Sequence, residues 1–496
     1  MTAGGVVALV VVVLPLVYLV VRSTEGGWGP ISRTLLRRVT FDLAARSILL
    51  AVSVTAASLV IGIAGAWLVT RTDVPLVRLW RVLLSLPLAV PSYVAAWAWI
   101  GLRPELAGFA GAFVVLTSVS YPFVYLPVAA ALRRCDPALE DAARMLGRPP
   151  LAVFLHVTLR QARTAAIGGA LLVGLYALSD FGAVSIMRYQ SLTQAIYRSY
   201  RSSFDRTPAA VLGLLLVAIA LVVLVVQRRV AGNDQVARSS GGTPRRPAVV
   251  TLGPWRWPVL GGLTAVVALS LGVPAWSLVY WLQRGTSTTD WATLADATVT
   301  TFWIAALAAV VTVVIAIPVG VLSARHSGRL SRWATNSAYA AHALPGIVIA
   351  LSLVFFGVRF VTPLYQRIPM LLFAYVVLFL SLAIGAVHNS VAQAPPLLDE
   401  MSRTLGRGQW ATWREVTLRL AAPGLAAAAL LVFLTVMKEL PATLLLRPIG
   451  VDTLATRLWG YTDAASFAAA APYAAVIVAL AAVPAAVLTG AWNEGD

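Results

Sequence analysis

Four histidines, one cysteine and one lysine bound the chemistry open to this 496-residue chain. His156, His326, His342 and His388 are scattered and show no ligand spacing, so they do not suggest a metal site. Cys135, alone, makes neither an intrachain disulfide nor a cysteine-built metal site. Lys438 lies in TVMKELP with no glycine before it, whereas a phosphate-cradling Walker loop needs a glycine-rich run ending in Lys-Ser or Lys-Thr. The chain is therefore expected to hold no ATPase site and no cofactor of its own. No paired carboxylates or nucleophile arrangement suggest an enzyme working within the membrane.

The ionisable residues that remain fall into two duplicated sets. The first is ALSDFGAVSIMR (177–188) and VMKELPATLLLR (436–447), in which Asp180 aligns with Glu439 and Arg188 with Arg447, with Lys438 alongside. Asp180 stands about 18 residues into its apolar stretch, roughly 27 Å at helical rise, and so towards one end of a membrane span. Charges there are costly and face a cavity or a partner. Two roles fit: a translocation gate, or a structural pairing such as Asp180 with Arg188 or Lys438 with Glu439.

The second set lies in a hydrophilic segment that occurs twice, PALEDAARMLGRPPLAVFLHVTLR (137–160) and PLLDEMSRTLGRGQWATWREVTLR (396–419), 259 positions apart. Asp136 suits a helix cap before Pro137. Glu140 and Asp141, matched by Asp399 and Glu400, complement the positive end of that helix. Ala138, Leu139, Ala142 and Leu146 form an apolar stripe repeated by Leu397, Leu398, Met401 and Leu405. Gly147 and Gly406 stand where a helix ends in a left-handed residue, followed by Arg148 and Arg407. A second short helix is expected next, with Leu151, Phe154 and Val157 matched by Trp410, Trp413 and Val416. Each segment thus presents an apolar and aromatic ridge suited to a partner's groove.

These sets must be positioned by an apolar framework. The chain is 59% hydrophobic and 12% charged, with mean hydropathy +0.83, against about 25% charged in soluble domains. Continuous apolar runs near the roughly 20 residues of a crossing predict an all-α integral membrane protein. Spans are expected near 4–22, 46–70, 80–102, 107–132, 162–187, 208–227, 256–282, 298–323, 334–358, 369–393, 421–446 and 468–490. The polar, basic stretch 228–250 reads as a linker, dividing a first half (1–227) from a second (251–496). Six spans separate the two repeated segments, so both face one side, and the halves form two parallel six-helix repeats about an axis along the membrane normal. Arginines around the first segment and in the linker put that side, with both termini, in the cytoplasm. Segments 23–45 and 188–207, basic but placed outside, disagree with this scheme. The net charge of +18 is therefore topological rather than a nucleic-acid footprint. Pro87, Pro91, Pro122, Pro127, Pro318 and Pro345 are expected to kink their spans.

The pattern acidic–Ala–Ala, three residues, Gly, nine residues, then a β-branched residue–x–Leu resembles the EAA loop of binding-protein-dependent ABC importer permeases. Here it reads Asp141-Ala142-Ala143, Gly147, Val157-x-Leu159, and Glu400-Met401-Ser402, Gly406, Val416-x-Leu418. Asp141 replaces the family's glutamate, Met401-Ser402 replace its alanines, and Arg160 and Arg419 stand where proline is frequent. The phrases LSDFGAVS, SLTQAIYRSY, MKELPATLLLRP and DTLATRLWGYT resemble the fused two-half permeases of ferric-iron importers, with thiamine permeases as close cousins. The resemblance implies two copies of a separate cytoplasmic ATP-binding subunit seated on the repeated segments, and an extracytoplasmic binding protein. It also implies alternating access in a prokaryotic inner or plasma membrane, with ATP bound by the partner. An ion-coupled secondary transporter is the rival class; it would need carboxylates near mid-bilayer.

Overall fold

Backbone polar groups in lipid must pair within their own segment, and the apolar stretches meet that demand as helices. The computed structural model describes residues 2–202, 206–231, 249–284, 290–325 and 344–490. Most of the linker (232–248), His326, His342 and the start of the ninth expected span lie outside the described residues.

Among the described residues, eight helices are long and apolar enough to cross a membrane: Arg38–Arg71, Phe109–Arg134, Phe154–Ser179, Thr207–Val226, Gly253–Arg284, Trp291–Arg325, Ile368–Gln393 and Trp410–Met437. A bent pair, Val77–Ala89 with Ser92–Leu102, and three shorter apolar helices, Val13–Thr24, Gly346–Phe360 and Phe467–Ala482, match the other four expected spans. The chain is an all-α membrane protein of about twelve spans.

The structure departs from the expected spans where helix breakers act. The third is broken rather than kinked: it bends by 93° before Ser92. Val90 is extended because the following Pro91 disfavours helical geometry there. The stretches read as 162–187 and 421–446 end early, at Ser179 and Met437, and short helices Gly182–Ile186 and Pro441–Leu446 follow. They also begin early. The second short helix expected in each repeated segment is the first part of the next span, joined to it through a π turn (Phe154–Thr158, Trp413–Thr417). Segment 23–45 is not a loop. It holds a short amphipathic helix, Trp28–Leu35, and the first turns of the 34-residue Arg38–Arg71 helix, about 51 Å long at 1.5 Å per residue.

The chain forms two compact units, each discontinuous in sequence. One comprises Met1–Thr40, Ala195–Val217 and Ser287–Leu480; the other Phe41–Gln194, Ala218–Thr286 and Ala481–Asp496. These units cut across the boundaries drawn from the sequence at 227 and 251. In the first, the Trp291–Arg325 helix packs on Ile368–Gln393 and Leu418–Met437. Glycine allows the approach: a Cβ on Gly320 would lie 2.4 Å from Val387 Cγ1, and one on Gly424 2.0 Å from Ser390 Oγ. The chain's opening helix, Thr2–Thr24, packs in this unit against Gly346–Phe360, with Tyr18 edge-on to Phe356 at 5.7 Å. In the second unit, Val273–Arg284 packs against Ser92–Leu102. Each unit therefore takes the opening span of the other sequence half.

Candidate functional site

The helices Pro137–Met145 and Pro396–Thr404 open the repeated segments. The Asp136 side chain accepts the Ala138 N–H at 3.0 Å, as a cap should. Both helices end in the same hydrogen-bonded device. Gly147 N–H donates to Arg144 C=O (2.9 Å) and Arg148 N–H to Ala143 C=O (3.2 Å). Gly406 and Arg407 repeat this with Arg403 and Ser402 at 3.0 and 3.2 Å. Both glycines have φ of 78°, a left-handed conformation that costs a side-chain-bearing residue roughly 1–2 kcal/mol.

The amphipathic helices are turned inside out. Their apolar stripe faces outward: Leu139, Leu146, Leu397, Leu398, Met401 and Leu405 are exposed, Leu146 and Leu405 by 81% and 80%. Asp141, Ala142, Arg148, Glu400 and Arg407 share that exposure. Glu140, expected among them, is buried, and Asp399 is half-buried. Glu140 pairs with Arg71 Nη2 at 3.0 Å and accepts the Thr158 hydroxyl at 2.9 Å. Asp399 lies 3.2 Å from Arg325 Nη2 and accepts the Thr417 hydroxyl at 2.8 Å. Phe154 packs partly inward, edge-on to Trp67 at 5.5 Å. Trp413 stacks on exposed Trp410 at 5.0 Å and also lines a small apolar crevice with Val387 and Ala421.

The second duplicated set sits where the fifth and eleventh spans end. Asp180 follows the last turn of its span, and its Oδ1 accepts the N–H groups of Ala183 (2.8 Å) and Val184 (3.3 Å). Its Oδ2 accepts a short hydrogen bond from Ser92, the first residue after the break in the third span. Glu439 does the same in the other unit. Oε1 accepts the Ala442 N–H at 2.9 Å, and Oε2 accepts the N–H and hydroxyl of Thr443 at 3.0 and 2.9 Å. Tyr375 OH reaches Thr443 Oγ1 at 2.8 Å. Each carboxylate thus caps the short helix that follows it. Arg188 is exposed with φ of 54°. Arg447 pairs with Asp452 and donates to the Val451 carbonyl at 3.2 Å. Lys438 is half-buried, just past the end of its span.

Sequence reasoning missed Arg71, Arg325, Thr158, Thr417 and Ser92. A signal existed: both arginines end the second span of their half, and both threonines lie in the duplicated run Val-Thr-Leu-Arg.

Polar caps at broken spans and outward-facing apolar helices thus both occur in two copies. The chain belongs to the family of binding-protein-dependent transport system inner membrane components, whose model matches it twice, at residues 58–232 and 316–492. The two matches show that the family's component occurs twice in this chain, and each match contains one repeated segment. Among individual proteins, the chain is 35% identical over 475 residues to an Fe(3+)-transport system permease protein of Haemophilus influenzae, covering 95% of this chain and 94% of that one. It is 26% identical over 259 residues to a sulfate transport system permease protein of Escherichia coli, covering 47% of this chain and 89% of the relative. A molybdate/tungstate transport system permease protein of Pyrococcus furiosus is 24% identical over 210 residues, covering 42% and 84%.

Proposed function

We propose that this chain is the membrane-spanning permease subunit of an ATP-driven importer of ferric iron. The observation that carries the cargo assignment is the end-to-end similarity to a ferric-iron permease, which spans both repeats. An extracytoplasmic binding protein delivers iron, and two copies of a cytoplasmic ATP-binding subunit each seat on one repeated segment. This chain supplies no ATPase site or cofactor; ATP is bound by the partner. It lies in the inner or plasma membrane of a prokaryote with both termini in the cytoplasm.

Support for docking comes from the inverted helices. Exposed apolar side chains on a short helix lose about 25 cal/mol for each Å² left in water, a cost that a partner's groove removes. Asp141, Ala142, Gly147, Arg148, Glu400, Met401, Gly406 and Arg407 form the docking faces, with Phe154 and Trp413 bracing them from behind. Closure of the ATP-binding dimer moves both segments and tips the bundle between inward- and outward-open states as rigid bodies. Asp180 and Glu439 serve the path by holding its short helices in place. Their use as caps also weighs against an ion-coupled carrier, whose carboxylates must bind and release the coupling ion.

Proteoliposomes containing the chain, its ATP-binding subunit and binding protein loaded with radiolabelled ferric iron test the proposal. Iron accumulation that requires ATP and both partners is expected. Accumulation without ATP or without the binding protein overturns it.

A further inference from the structure

Each repeated segment is attached to the bundle by an ion pair, buried in one unit and half-buried in the other, at a point neither the family pattern nor the docking face includes. Arg71 is the last residue of the Arg38–Arg71 helix and is 3% exposed. Its guanidinium reaches Glu140 through Nη2 at 3.0 Å and Nη1 at 3.4 Å, and Nη2 also donates to the Leu132 carbonyl at 3.1 Å. Glu140 further accepts the Thr158 hydroxyl and lies 3.6 Å from Arg144. One ion pair therefore joins the repeated helix to the end of one span (Arg71), the end of another (Leu132) and the π turn that starts a third (Thr158). The other unit repeats the ion pair and its threonine partner. Arg325 ends the Trp291–Arg325 helix, Asp399 takes Glu140's place and Thr417 takes that of Thr158, with side chains 15% and 19% exposed for the ion pair.

Burying two charges is expensive, and an apolar pair of similar size often leaves a fold equally stable or more so. A charged pair built twice at corresponding ends of two spans, buried in one unit and half-buried in the other, therefore needs a reason beyond stability. Its geometry supplies one. A contact through exposed apolar residues can slide, whereas a guanidinium paired with a carboxylate, and at Arg71 also with the Leu132 carbonyl, restrains distance and direction together. We propose that Arg71–Glu140 and Arg325–Asp399 are positioning pairs that make each docking segment and the span ending in its arginine move as one lever, so that ATP-binding subunits pull on the bundle without slippage. This rests on the docking role proposed above.

The test is the number of ferric ions imported per ATP hydrolysed in the reconstituted complex. A merely structural lesion lowers the amount of working protein, and so lowers import and hydrolysis together. Loss of the lever lowers their ratio. Glu140→Gln, nearly isosteric and able to keep the Thr158 bond, is expected to reduce the ratio roughly fivefold, the lower end of typical coupling between sites. Glu140→Asp, the residue the second copy already uses, is expected to keep it. If Glu140→Gln does not accumulate, Asp399→Asn at the more exposed copy carries the same expectation. An unchanged ratio in the glutamine and asparagine variants overturns the lever, as does an equal loss in Glu140→Asp. Failure of the unsubstituted complex to couple ATP to import would instead overturn the docking role itself.

Discussion

Asp180 and Glu439 can be tested as helix caps rather than cargo ligands, because the two roles respond oppositely to removal of charge alone. Asp180→Ala strips the acceptor from the Ala183 and Val184 N–H groups, both buried. Each unpaired donor costs about 1–3 kcal/mol, so about 2–6 kcal/mol is expected. For a unit of this size that lowers the melting temperature by about 4 °C or more. Asp180→Asn keeps an oxygen for the two N–H groups and turns its amide towards Ser92, whose hydroxyl can accept. The loss is then the difference between a charged and a neutral acceptor, about 1 kcal/mol. Glu439→Ala and Glu439→Gln form the matching pair around Ala442 and Thr443. Melting of the detergent-purified protein, followed by tryptophan fluorescence, and ATP-dependent iron uptake should both rank wild type, amide variant and alanine variant in that order, with the amide close to wild type. An amide variant that melts like wild type yet loses uptake as fully as alanine would refute the cap role, since only a charge acting on cargo could produce it.

Gly147→Val and Gly406→Val force a β-branched residue into φ of 78° where no neighbouring atom lies within 4 Å of the new Cβ. The roughly 1–2 kcal/mol of strain is local, so the double variant should insert normally but lose ATP-dependent uptake; full uptake would count strongly against docking. Gly320→Leu and Gly424→Leu, by contrast, drive a side chain into Val387 and Ser390, and overpacking typically costs about 1–3 kcal/mol or more. Reduced accumulation in the membrane, measured by immunoblot, is expected of both. Cys135 is 8% exposed, and burial raises its thiol pKa above the usual value, with Arg71 nearby opposing the shift. Maleimide labelling at neutral pH should be slow in the native protein and fast in denaturant; fast native labelling would mean that the segment around the Arg71–Glu140 pair opens.

Much of the framework was written in composition. Long apolar runs leave the backbone no alternative to helix, and Gly147, Gly406 and Asp136 do at their positions what their chemistry suggests. The sequence was less informative where two neighbouring residues share a chemistry. Glu140 and Asp141 are both acidic and both in the first turns of a helix, yet one is buried against Arg71 and the other is exposed. The difference is set by an arginine 69 positions earlier in the chain. Likewise, Asp180 reads as an intramembrane charge until Pro91 is seen to break the third span and leave Ser92 free to donate to it. The apolar stripe on the repeated helices was legible, but which way it faced was not: periodicity alone cannot distinguish a stripe that faces a core from one that faces outward.

The exchange of opening spans between the compact units bears on why this permease is one polypeptide. Thr2–Thr24 completes a unit built mainly from residues beyond 287, and Gly253–Arg284 completes one built mainly from residues before 194. A polypeptide severed near residue 240 would yield two fragments, neither holding all the spans of either unit. Each would need the other during assembly. Covalent continuity between the two sequence halves converts that mutual dependence from a bimolecular search into an intramolecular one.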